Sequence, residues 1–190
     1  MKPLLSALAV AAAILTTPVM AQETGTTAEG LSLGETIVNG RAIGEEYIAA
    51  TFDDWAHRCV TTEDGDDPCN AYQLLLDNEG NSVAEISLVP LAAQGQAVAG
   101  GTIVTPLETL LMRQISLQID AGAVRRYPFT FCTRSGCISR VGFTTDDVAA
   151  MKAGSGATIT IVPAGSPDTP VVLEMSLTGF TAAYDALEPR

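Results

Sequence analysis

The sequence predicts a mainly β, single-domain fold, a β-sandwich or barrel-like domain with one or two short helices and two hairpin disulfides. Three observations lead there. Short alternating apolar and polar runs, about eight in all, recur at roughly ten-residue spacing and are divided by Gly, Pro, Asp and Asn clusters. The four Cys fall into two close pairs, Cys59 with Cys69 and Cys132 with Cys137. Only near residue 146 does a clear helix-start pattern interrupt the β rhythm.

Residues 1–21 read as a secretory signal: Lys2 begins it, Leu4 to Leu15 form an apolar stretch, and Val19-Met20-Ala21 precede a cleavage point before Gln22. That stretch is shorter than the roughly 20 residues a membrane-spanning helix needs, and no later segment is long and apolar enough to serve. Residues 22–46, rich in Gly, Thr and Glu, read as a flexible leader, and residues 47–190 as the β-rich domain.

In the domain, Trp55, His57 and Cys59 share one face of a strand, and a second strand spans Cys69 to Leu76. The polar run from Glu63 to Pro68 joins them, with a Cys at each lip. Ser82 to Val89 reads as a strand, Ala92 to Gly101 as a flexible connection, and Leu110 to Ile119 as a strand buried on one face. Arg125 to Cys132, with Tyr127, Phe129 and Phe131 on one side, and Cys137 to Val141 make a second hairpin. Thr145 is placed to cap a helix over 146–153, with Asp146 and Asp147 favoured at its positive end and Gly154 as its stop. Thr158 to Val162 and Val171 to Leu177 are the last strands, and a short helix over 181–187 closes the chain.

Charge narrows the function. The whole chain carries −12; beyond residue 21, nine basic residues stand against 22 acidic ones, near −13. Such a surface repels nucleic-acid phosphates and anionic lipid, so no nucleic-acid partner is expected. Four Cys in an exported chain imply disulfides, with three connectivities open, and spacing favours Cys59–Cys69 and Cys132–Cys137. Neither spacing is the C-x₂-C of a zinc knuckle or a redox motif.

Catalysis finds little support. His57 is the only imidazole, and although Asp53 or Asp54 could orient it, no Gly-x-Ser-x-Gly elbow supplies a nucleophile. No phosphate-cradling loop or distinct carboxylate pair is present, so no catalytic residue, cofactor or metal is assigned; a small exported hydrolase or thiol-redox protein is the alternative. The loop carboxylates Glu63, Asp64, Asp66 and Asp67 are hard ligands of the type Ca²⁺ takes, without EF-hand spacing, and are read as a solvated loop. Arg125, Arg126, Arg134 and Arg140 gather around the second hairpin as a candidate interaction patch.

Taken together, Phe52-x-Asp54-Trp55-x-x-x-Cys59, Cys69-x-x-x-Gln73, Cys132 with Gly136-Cys137, and Leu177-x-Gly179-Phe180 resemble the invasion-associated locus B family. The resemblance runs from about Phe52 to Leu187. It implies an exported β-rich bacterial protein, periplasmic, secreted or held at the outer membrane, with a link to host-cell entry in the family's founding member. It transfers no catalytic residues; Phe52, Asp54, Trp55, Gln73, Gly179, Phe180 and the Cys carry over as structural landmarks. The expected partner is an unidentified protein of the envelope or of a host cell.

Overall fold

The structure, a computed structural model, describes residues 34–92 and 95–189, so the expected signal segment lies outside the described residues. From Thr36 onward the chain is one compact unit. A short hairpin comes first, β1 (Ile37–Val38) with β2 (Arg41–Ala42), inside the segment expected to be a loose leader. Its turn is Asn39-Gly40, both at positive φ, a conformation these two residues tolerate better than most.

A seven-stranded antiparallel sheet follows, in the order β10-β11-β7-β6-β5-β4-β3. It comprises β3 (Glu46–Phe52), β4 (Trp55–Val60), β5 (Cys69–Leu76), β6 (Ser82–Pro90), β7 (Ala99–Thr105), β10 (Phe131–Thr133) and β11 (Gly136–Phe143). A four-stranded sheet, β13-β12-β8-β9, contains β8 (Ile115–Ile119), β9 (Arg125–Tyr127), β12 (Gly156–Ile161) and β13 (Val171–Ser176). The sheets stay open, so the sandwich-like form of the expected fold is the one adopted and the barrel form is not.

Both sheets bury one face in a shared core. Trp55, Ile86, Ile103 and Phe143 come from the large sheet, Ile115, Ile159 and Leu173 from the small one. Burial alternates along β4 and β6 as a one-sided sheet demands. Two helices complete the layer: α1 (Thr145–Ala153) and α2 (Phe180–Asp185). Phe180 of α2 meets Trp55 edge-on at 5.1 Å between ring centroids.

Several expected boundaries move. The segment read as a flexible connection ends in β7, whose Ala99 and Ile103 are fully buried. Ala99, Gly100 and Gly101 have little strand propensity of their own, but pairing to β6 and β11 on both sides supplies what propensity lacks. The strand expected from Leu110 begins only at Ile115, after a 3₁₀ turn (Leu111–Arg113) and Gln114 at positive φ. The strand expected over Arg125 to Cys132 divides at Pro128, which has no N–H for a ladder: β9 joins the small sheet and β10 the large one. α1 is capped by Thr144 rather than Thr145, because the Thr144 hydroxyl and Asp147 bond each other's backbone N–H reciprocally. Gly154 does end α1, but in extended conformation; a Cβ there would crowd the Asp120 carboxylate and the Ala150 carbonyl.

Candidate functional site

Both disulfides form with the local pairing that spacing favours, Cys59–Cys69 and Cys132–Cys137, and the described residues include no free Cys. In each, the two Cys face one another across an antiparallel pair, with Cα atoms 4.0 Å apart.

The landmark residues meet at one place, where the two sheets touch. The side-chain amide of Gln73, on β5, donates to the Ser176 carbonyl (3.1 Å) and accepts from the Ser176 N–H (2.9 Å). A side chain thus stands in for a neighbouring strand at the end of β13. Trp55 Nε1 donates to the same carbonyl at 2.8 Å, and the Ser176 hydroxyl donates to Asp54 at 2.6 Å. Gly179, at φ +83°, lies so close to the Phe52 carbonyl that a Cβ would overlap its oxygen. Phe52, Asp54, Trp55, Gln73, Gly179 and Phe180 therefore form a clasp that locks the sheets and α2 together. Ser176, its centre, carries no signal that sequence reasoning could use, since its part is played mainly by the backbone.

The single His belongs to this inner region too. His57 is 9% exposed. Its Nε2 bonds the Ala183 carbonyl at 2.7 Å, and because a carbonyl only accepts, that nitrogen carries the proton. Its ring packs on Phe52 at 4.6 Å. Asp54, one of the two expected orienters with Asp53, is engaged by Ser176 instead. The imidazole ties α2 to β4 and has no nucleophile to activate among its contacts.

In the acidic loop, carboxylates are occupied by the loop's own donors. Asp67 accepts from the Thr62 N–H (2.7 Å), the Thr62 hydroxyl and the Tyr47 hydroxyl (2.8 Å). These bonds, the Thr62 N–H first, hold its pKa below 3.8, while the bond to Asp67 raises that of Tyr47. Asp64 accepts from the Thr62 hydroxyl and the Asp66 N–H, which lower its pKa likewise. Among the described residues no group of three or more His, Cys, Asp or Glu is placed to hold a metal.

The four arginines separate. Arg125 and Arg126 stand on β9 of the small sheet, and Arg125 pairs with Asp147 at 2.8 Å. Arg134, in the β10–β11 turn, and Arg140, on β11, belong to the large sheet, both exposed and both without an ion pair among the described residues. Arg140 instead lies over the Phe131 ring, 5.7 Å from its centroid.

That pair marks a further feature, the outer face of the large sheet. Strand register aligns Leu74, Glu85, Val104, Ile138 and Phe131 in one row across five strands, on the side opposite the core. Leu74 and Phe131 are each more than two-fifths exposed. Glu85 interrupts the row but is neutralised by Arg58, at 3.1 Å, which also covers the Tyr72 ring. A shallow groove of about 430 Å³ follows the row toward Thr133 and Ser135. A second groove, about 830 Å³, runs beside β13 and is rimmed by Asp54, Asp77, Asp120 and Glu174. Three of those carboxylates already serve the fold: Asp54 on Ser176, Asp77 on the 77–81 turn, and Asp120 on the Ser155 and Gly156 N–H groups. The outer face has the freer chemistry: apolar side chains bordered by two guanidinium groups.

The class these features define is an open two-sheet sandwich, stapled in two hairpins, with His57 bonded to α2. Comparison with known proteins shows the family. The family model for the invasion associated locus B protein matches residues 55–188, and the chain belongs to that family. It is 31% identical over 149 residues to invasion protein B homologues of two Brucella abortus strains, 2308 and 9-941, covering 76% of this chain and 82% of each relative. The crystal structure of invasion associated protein B from Bartonella henselae superposes with a TM-score of 0.57 at 27% identity, covering 73% of this chain and 91% of that one.

Proposed function

We propose that this chain is an exported, non-enzymatic protein of the bacterial envelope or surface that acts by docking a partner protein on the outer face of its seven-stranded sheet. The row of Leu74, Val104, Ile138 and Phe131 carries the reading. A sheet face covered on one side only normally presents polar residues to water, and this one keeps half-exposed apolar groups beside Arg134 and Arg140, which form no ion pair among the described residues of a strongly acidic molecule. Aromatic and Arg side chains in one patch are the composition of interface cores. The partner face would be apolar with a carboxylate rim.

Export rests on residues 1–21, cut after Ala21, and on two disulfides of the type that persist in oxidising compartments. The names of the relatives attach them to invasion, and host-cell contact is accordingly one setting for the partner. Capture from envelope extract, and separately from host-cell membranes, tests the docking. The folded protein is expected to retain one protein reproducibly, and a variant with Phe131→Ala and Arg140→Glu to lose it while keeping its thermal midpoint. Equal capture by that variant would sink the sheet-face assignment. A purified envelope form whose first residue is not Gln22 would overturn the cleavage assignment.

A further inference from the structure

β13 is an edge strand of the small sheet, and one end of its open edge is already occupied by a side chain. The Gly156 carbonyl of β12 accepts from the Asp120 N–H, on the side of β12 away from β13. Antiparallel partners alternate between bonded and unbonded pairs. Gly156 and Ser176 are therefore an unbonded pair, as are Thr158 with Glu174 and Thr160 with Val172. The backbone N–H and C=O groups of Ser176, Glu174 and Val172 point away from β12. At Ser176 both groups are met by the Gln73 amide. At Glu174 and Val172, both exposed, no described residue meets them.

Open edges invite strand pairing, and folded proteins usually blunt them. The other edge strands of the two sheets are blunted: β9 and β10 have three residues each, and β3 carries a bulge between Ile48 and Ala50. β13 pairs with β12 without interruption over six residues. Room for another strand lies beside it. The groove of about 830 Å³ is lined by Glu174, Met175 and Ser176 together with Gln73, Leu74 and Leu76 of β5.

We propose that the edge of β13 takes an extended segment of a partner protein as an added antiparallel strand, with Lys or Arg at alternate positions and apolar residues between them. The segment continues along Glu174 and Val172 the pairing that Gln73 begins at Ser176. Charge selects this occupant. Asp54, Asp77, Asp120 and Glu174 rim the groove, and no Lys or Arg lines it. Hydrogen bonds from neutral donors leave the charge of the first three in place, and Glu174 makes no ion pair among the described residues. A cation directly opposite Glu174 forms a favourable cross-strand pair. A second copy of this chain fits worse, because β13 paired with itself brings two Glu174 carboxylates onto one face of one sheet. The apolar residues of the segment suit Leu74, Leu76 and Met175. This edge is separate from the outer face of the large sheet and does not depend on docking there.

A blocked hexapeptide of alternating Lys and Val is the probe, titrated into the purified protein and followed by amide NMR shifts. Saturation is expected with a Kd of about 0.1 mM, with the shifts centred on 172–176 and 74–78. The same peptide N-methylated at every internal residue keeps its charge but not its strand bonds, and should bind at least roughly tenfold more weakly. Val172→Pro removes an outward N–H and no ladder bond, so it should fold and lose the peptide. Glu174→Gln should weaken binding about two- to fivefold. The variant changed at Phe131 and Arg140 should bind as the unaltered protein does. Absence of saturable shifts at several millimolar peptide overturns the proposal, and the N-methylated control does the same, without any variant, if it binds equally well. So does equal binding by a hexapeptide of alternating Glu and Val, or loss of binding in the Phe131 and Arg140 variant. Shifts at 172–176 that depend on protein concentration without peptide would make a second copy the occupant and overturn the choice of a basic segment.

Discussion

The two stapled hairpins carry the same covalent device in opposite surroundings. In β4–β5 the bridge lies within the large sheet, with β3 and β6 on either side, on the two strands whose far ends carry Trp55 and Gln73 to Ser176. In β10–β11 it closes the sheet's edge, and all three residues of β10 are exposed. The first holds the part of the molecule that joins two sheets and a helix. The second holds up one end of the exposed row, at Phe131 and Arg134. One motif thus serves cohesion in one place and presentation in the other, and place in the sheet, interior or edge, decides which, since Cys59 and Cys137 are both buried.

The largest effect is expected where cohesion is densest. Gly179→Ala forces a Cβ onto the Phe52 carbonyl at a φ that L residues avoid, and should cost about 4 kcal/mol, read by urea unfolding. Replacing both Cys59 and Cys69 by Ser should cost more than 3 kcal/mol, against about 2 kcal/mol for Cys132 and Cys137. Loop length alone, separations of 10 against 5, accounts for only about 0.6 kcal/mol of that difference, so a gap no larger would mean that place in the sheet adds nothing.

Gln73→Leu removes a side chain that bonds both the N–H and the carbonyl of Ser176, and should cost about 2 kcal/mol. Near-wild-type unfolding of that variant would show that Trp55 suffices to hold β13. A smaller effect concerns the loop between Cys59 and Cys69. Because the folded pKa of Asp67 is lowered, its contribution is present above the ordinary 3.8 and is lost as pH falls through the folded value. The Thr62 amide shift should therefore titrate with a midpoint below 3.8, and Asp67→Asn should abolish the transition. At the presenting hairpin, Arg140→Glu should change stability by less than about 0.5 kcal/mol, since Arg140 is exposed and makes no ion pair among the described residues.

Elements whose signal is local were legible. β5 (Cys69–Leu76) has the limits its alternation and bounding loop imply, and α1 differs by one residue because Thr144 and Thr145 are equally suited to capping. The hairpin at Asn39-Gly40 was missed, despite its local turn signal, because the Gly- and Thr-rich context reads as a leader. β7 was not legible, because Ala99-Gly100-Gly101 becomes a strand through its neighbours rather than its own preferences. The candidate site divides in the same way. Arg134 and Arg140 could be singled out as cations in an acidic chain, yet Leu74, Val104 and Ile138 are ordinary strand residues until register aligns them.

The sequence by itself determined the β-rich class and the family and favoured the disulfide pairing that forms, since each depends on residue type and short spacing. Tertiary structure alone decided that Pro128 sends β9 and β10 to different sheets, that Gln73 and Trp55 converge on Ser176, and that the arginines part company. These contacts join residues far apart along the chain, as Trp55 and Ser176 are, separated by 121 positions. No local pattern encodes such a meeting; it follows from packing two sheets around one core.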